Sequence, residues 1–138
     1  MRYRSQAREL ALQALCYFDI NRGDPEELIE LFCLNFEKTA DKNISPFFLN
    51  LVNGVTESVV EIDSVIKKYS KNWRLSRMPV VDRNVLRIAA FELLKCSDIP
   101  STVSINEAVE IGKKFGAKGT GSFVNGVLDR IRISEKIE

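Results

Sequence analysis

The chain has 138 residues, 45% apolar and 28% charged, the proportions of one ordinary globular domain. No run approaches the roughly 18 apolar residues of a membrane span, and the start "MRYRSQAREL" leads into no apolar segment of secretory type, so a cytoplasmic protein is expected. Histidine is absent, which removes imidazole bases and ligands and argues against catalysis; no metal or cofactor is expected. Cys16, Cys33 and Cys96 are far apart with no C-x-x-C pair, so they read as buried thiols.

The net charge of +1 hides segregation. Residues 1–23 carry +2, 24–63 carry −7, 64–87 carry +6, and 88–138 balance. Blocks of opposite sign suggest two contact surfaces of different character, or helix faces that are merely solvated differently.

Nearly every segment has helical period. Ala7, Leu10, Ala11, Ala14, Leu15 and Phe18 form one apolar stripe. "NRGDPEE" interrupts it. Asp24 then reads as an N-cap with Pro25 behind it, opening a second helix that buries Leu28, Leu31, Phe32 and Phe36. Ser45-Pro46 repeats the signal. After it a stripe from Phe48 to Tyr69 reads as one long helix, or as two with a bend, with Gly54 its weak point.

The basic stretch "SKNWRLSRMP", 70–79, is the best boundary, dividing a single domain into subdomains of about 1–75 and 76–138. "VVDRNVLRIAAFELLKC" is apolar almost all round and reads as the most buried helix. Ser104 and Glu107 have capping-box spacing, Ile105, Ala108, Val109 and Phe115 follow as a stripe, and Gly116 ends the helix. A last helix from Thr120 or Ser122 buries Val124, Val127, Leu128 and Ile131. No strand pattern is found. The expected fold is an all-α bundle of about six or seven helices.

The loop "GAKGTGSFVNG" lacks the Gly-Lys-Ser/Thr order and the preceding strand of a phosphate-binding loop, which excludes a nucleotide cradle. Gly126, inside a helix, implies close packing of another backbone. Phe123 lies one residue off the apolar stripe, in the first turn beside Lys118. It reads equally well as a core staple or as a stacking face for an unpaired RNA base, with a phosphate on the helix start at Thr120–Ser122.

"ARELALQAL", "DRNVLRIAAFEL", "SINEAVEIGKKFG" and "FVNGVLDRI" occur in that order along the whole chain. Together they resemble the bacterial NusB transcription antitermination family. The resemblance implies a compact fold of two helical subdomains without catalytic activity. It implies binding of boxA leader RNA jointly with NusE, a small-subunit ribosomal protein, and assembly on RNA polymerase during ribosomal RNA transcription. The family's RNA surface matches Arg2, Arg4 and Arg8 at the start, and Phe123 with Lys118 near the end; its partner interface matches Asp82. Two departures stand out: Ser5 and Gln6 interrupt the arginine run, and Cys16 replaces the family's aromatic, with Tyr17 one place along. Arg74, Arg77, Arg83 and Arg87 would extend the basic surface, Arg87 equally as an internal partner of Glu92 or of a neighbouring helix. The acidic block 24–63 would serve a purely protein-binding adaptor. Without its partner the chain would be a monomer, or a homodimer paired through exposed apolar residues.

Overall fold

The computed structural model describes residues 2–71 and 73–138; Asn72, inside the boundary stretch, lies outside the described residues. These form seven α-helices: α1 (Arg2–Asn21), α2 (Pro25–Asn35), α3 (Ser45–Glu57), α4 (Val59–Tyr69), α5 (Val80–Lys95), α6 (Ser101–Phe115) and α7 (Thr120–Ser134). Short 3-10 turns lie at Glu37–Ala40 and Leu75–Arg77. No strand occurs among the described residues, and no helix is long and apolar enough to cross a membrane.

The apolar patterning explains the packing. α5 buries ten of its 16 residues and touches α1, α3, α4, α6 and α7, so it is the axis of the bundle. One continuous core joins Leu12 of α1, Phe48 and Leu51 of α3, Ile62 and Ile66 of α4, Leu86 of α5, and Leu128 and Ile131 of α7. On α7 the expected stripe of Val124, Val127, Leu128 and Ile131 is completely enclosed. Cys96 is buried while Cys16 and Cys33 are only partly so. Burial first, then the nearby Glu92 and Asp98 carboxylates, pushes the Cys96 thiol up to about 11.

Several local expectations change. The long stripe breaks at Ser58, not at Gly54. Gly54 instead faces the Phe91 ring, which a Cβ would overlap. Ser45 is the first residue of α3 rather than its cap, and Asp24 occupies the cap position of α2 without a side-chain bond. Leu31 and Phe36 are exposed rather than buried, because α2 turns Phe32, with the partly buried Ile29 and Cys33, to the core and leaves Leu31 on the outside. Phe115 is likewise exposed, with Ile111 and Gly112 buried in its place.

The glycine-rich corner between α6 and α7 is a packing device. A Cβ on Gly112 would sit 3.1 Å from Thr120 Cγ2, and one on Gly121 would sit 3.1 Å from Lys113 Cγ. Glycine at both places brings the two helices into close contact. Gly126 has no such neighbour: a Cβ there would meet only Arg130 Nη1, at 3.7 Å. The close approach expected at Gly126 is made at Gly54, Gly112 and Gly121.

These two kinds of glycine predict opposite mutational signs. Gly54→Ala forces the Phe91 ring to move and is expected to lower unfolding free energy by about 1–3 kcal/mol. Gly126→Ala, in an open mid-helix position, is expected to raise it by about 0.5–1 kcal/mol. Denaturant titration of the two variants checks both signs.

Candidate nucleic-acid interface

The start of α1 is anchored by a buried ion network. Arg8 donates from Nε to Glu92 Oε2 at 2.9 Å and from Nη2 to Glu92 Oε1 at 2.8 Å, a two-pronged pair with both side chains 1% exposed. Its Nη1 reaches Glu107 Oε1 at 3.0 Å. The Ser104 hydroxyl donates to Glu92 Oε1 at 2.8 Å, and the Ser5 hydroxyl donates to Glu107. Desolvation opposes the charge on Arg8, but Glu92 and Glu107 outweigh it and hold the guanidinium protonated. Arg8 is therefore a core residue, correcting its assignment to the RNA surface: no phosphate reaches a side chain that is 1% exposed and already paired with two carboxylates. Ser104 and Glu107 correct in the same way. α6 begins at Ser101, three residues before the expected capping box, and both side chains serve the Arg8 network.

Arg2 and Arg4 remain exposed in the first turn of α1, which carries no acid. Cations at the positive end of a helix dipole are unfavourable by about 0.3–1 kcal/mol each, so helix stability does not account for them. Arg4 lies over the Phe47 ring, 4.7 Å from its centre, and makes only a 3.9 Å surface pair with Asp98. Its charge stays available to an anion.

Phe123 lies at the opposite end of α5. It is half-buried against the core, and its ring meets Trp73 edge-to-face at 6.1 Å and 68°. The ring is anchored by the core on one side and open on the other. It borders an apolar groove of about 390 Å³ together with Trp73, Met78, Pro79 and Thr120. The Phe123 amide is not free, since it donates to the Gly119 carbonyl at 3.1 Å. Lys118 is exposed on the adjoining corner.

Asp82 is placed differently from expectation. It is 7% exposed, and its Oδ1 accepts a hydrogen bond from Thr120 Oγ1 at 2.9 Å. Thr120 Oγ1 in turn accepts the Ala117 amide at 3.0 Å. The carboxylate ties the α6–α7 corner to the start of α5 and helps to line the groove beside Phe123. Tyr17 is partly buried and lines a separate small groove with Phe32 and Phe36, away from Phe123.

From Asp82 to Lys95 α5 rises about 20 Å. Arg2 and Arg4 therefore lie at one end of the bundle axis, with Phe123 and Trp73 at the other. Sequence reasoning missed Trp73, although a lone tryptophan among basic residues was the available signal. It also left Arg87 open. Arg87 pairs not with Glu92 but with Asp63 at 2.9 Å and Asp19 at 3.1 Å, and Arg83 joins Asp19 at 3.1 Å. Burial favours the neutral form of Asp19, but the Asn84 amide, Arg87 and Arg83 together hold its carboxyl below the ordinary range.

The NusB family model matches residues 5–132. The transcription antitermination protein NusB of Desulforapulum autotrophicum is 61% identical over 135 residues, covering 98% of this chain and 94% of that one. Among solved structures, T. maritima NusB aligns with a TM-score of 0.84 at 40% identity, covering 93% of this chain and 89% of that one. A crystal structure of the antitermination factors NusB and NusE in complex with dsRNA aligns with a TM-score of 0.87 at 30% identity, covering 97% and 98%.

Arg8→Ala leaves two carboxylates in or beside the core without their counter-charge, held only by the Ser104 and Ser5 hydroxyls, so a loss of about 3–5 kcal/mol in denaturant unfolding is expected. Arg2→Ala, on the surface, should stay within about 0.5 kcal/mol. The depressed Asp19 carboxyl contributes stability above the ordinary carboxylate range and loses it as pH falls through its folded value. Between about pH 5 and pH 3 the parent should therefore lose unfolding free energy more steeply than Asp19→Asn.

Proposed function

The chain belongs to the NusB family of transcription antitermination proteins, and on that premise we propose that it holds boxA leader RNA jointly with the ribosomal protein NusE, as a non-enzymatic factor of a cytoplasmic antitermination assembly on RNA polymerase. The observation that carries this reading is the pair of open sites at the two ends of α5. Arg2 and Arg4 offer cations that the helix dipole does not favour. Phe123, with Lys118 beside it, offers an anchored aromatic face.

The division of labour follows from chemistry. Arginines on the α1 start attract phosphates, giving affinity without sequence information. The Phe123 ring gives an unpaired base a flat apolar face, and the core behind it limits the rotamer freedom lost on binding. Asp82 and Thr120 hold the corner on which Lys118 and Phe123 stand. NusE supplies the remaining contacts, with Asp82 reached at the floor of the groove.

A second site for a basic protein partner is favoured by α2. It carries Glu26, Glu27 and Glu30 and leaves Leu34 81% exposed. An acidic helix with a bare leucine suits a cationic, partly apolar surface.

The reading is tested by gel shift with NusE and a boxA oligonucleotide against a scrambled RNA. Preferential shift of boxA, strengthened by NusE, is expected; equal shifts, or no RNA-dependent gain, would leave the protein an adaptor only. Phe123→Ala should weaken boxA binding several-fold with unchanged helicity by circular dichroism. Loss of helicity would show that the ring serves the core alone. Arg2→Ala and Arg4→Ala should each flatten the dependence of log K on log salt by about 0.7, one single-strand phosphate contact.

A further inference from the structure

A second, larger groove of about 680 Å³ opens on the other side of Trp73. Its walls come from the ends of α1 and α4, the following loop, and the first turns of α5. Six cations line it against one carboxylate, Asp19. The floor is internally neutralised, since Arg83 and Arg87 are bound by Asp19 and Asp63. The rim is not. Arg22, Lys67, Lys71 and Arg74 are exposed and form no ion pair among the described residues.

The backbone at this rim is unusual. Arg22 and Lys71 have φ of +45° and +42°, in the left-handed region. Each follows the end of a helix, α1 and α4 respectively. That position ordinarily takes glycine, or asparagine, because other side chains crowd the carbonyl there. A cation near a helix C-terminus is favoured by the dipole, and Lys136, just past α7 and away from this groove, has the same left-handed backbone at φ +57°; what distinguishes the groove is that two such helix ends open on it together. Trp73 stands between this groove and the apolar one, 53% exposed, with its ring against Phe123.

We propose that this basic groove binds the phosphate backbone of a single-stranded RNA segment adjoining the one held at Phe123, with Trp73 stacking a base where the two grooves meet. Four uncompensated cations beside the exposed Trp73 ring suit a polyanion that carries flat bases. An acidic peptide would satisfy the charge but leave Trp73 unused. The inference rests on the proposed RNA-binding function and extends the RNA path beyond it.

Trp73 is the only tryptophan in the chain, so its fluorescence reports on this site directly. The full chain with NusE is titrated with a boxA oligonucleotide and with the same RNA extended on either side. Polyglutamate serves as the acidic-peptide probe. The variant Lys67→Gln, Lys71→Asn, Arg74→Gln removes three rim charges, and asparagine suits the left-handed position. One extended RNA is expected to bind at least five-fold tighter than the core oligonucleotide and to quench Trp73 further. The triple variant should lose that gain and flatten the salt dependence of log K by about 2, three contacts at about 0.7 each. It should still bind the core oligonucleotide through Arg2, Arg4 and Phe123. If extension brings no gain and the triple variant matches the parent while boxA still shifts, the groove inference fails and the proposed function stands. If no RNA binds, both fail. Quenching by polyglutamate alone would assign the groove to an acidic protein partner and overturn the RNA inference.

Discussion

The buried pair between Arg8 and Glu92 is the constraint on which the rest of this structure depends. A charge enclosed in the core costs several kcal/mol in lost hydration, and only close, multiple partners offset it. Here the partners come from three helices: Arg8 from α1, Glu92 from α5, Ser104 and Glu107 from α6. The network can be satisfied in one relative register of those helices. No buried side-chain nitrogen or oxygen among the described residues lacks a hydrogen-bond partner, so the register carries no unpaired group. Fixing α1 in this way also fixes where its first turn points, and hence where Arg2 and Arg4 meet solvent.

The second organising feature is how the fold distributes opposite charge. The acidic segment 24–63 and the basic segment 64–87 are adjacent in sequence, yet they neutralise each other only locally. Asp63, with Asp19 from α1, takes up Arg83 and Arg87. The acids of α2 stay at the surface beside exposed Leu31 and Leu34, and Lys67, Lys71, Arg74 and Arg77 line the two grooves that meet at Trp73. The result is a molecule with an acidic, partly apolar face and a basic, aromatic one, suited to a protein and a nucleic acid at the same time.

Reading the sequence alone went wrong where a local rule met a tertiary competitor. Ser104 and Glu107 have the spacing of a cap, but a buried arginine recruited both side chains and the helix began earlier. Gly54 looked like a break and proved to be clearance for the Phe91 ring, while the break fell at Ser58. Gly126 looked like a close contact, but a side chain there would meet only the far end of Arg130. Arg8 belonged by sequence position with Arg2 and Arg4, but helical period turned it toward α5. In each case residue type and spacing were compatible with two environments, and a partner distant in sequence selected one.

What the sequence determined by itself was the all-helical class, the central place of α5, and the enclosed stripe of α7, because hydrophobic period is a local property written in consecutive residues. Family membership was legible for a related reason: four blocks in fixed order span the whole chain. What only the tertiary structure decided was which charges are buried and which are free. Arg8 and Arg2 lie six positions apart on one helix, but one is enclosed by carboxylates from α5 and α6 and the other faces water. Trp73 and Phe123, fifty residues apart, became one aromatic corner because the segment after α4 and the start of α7 line the same groove. Contacts of that sequence separation leave no periodic trace in the chain, so they are fixed only when the helices close around a common core.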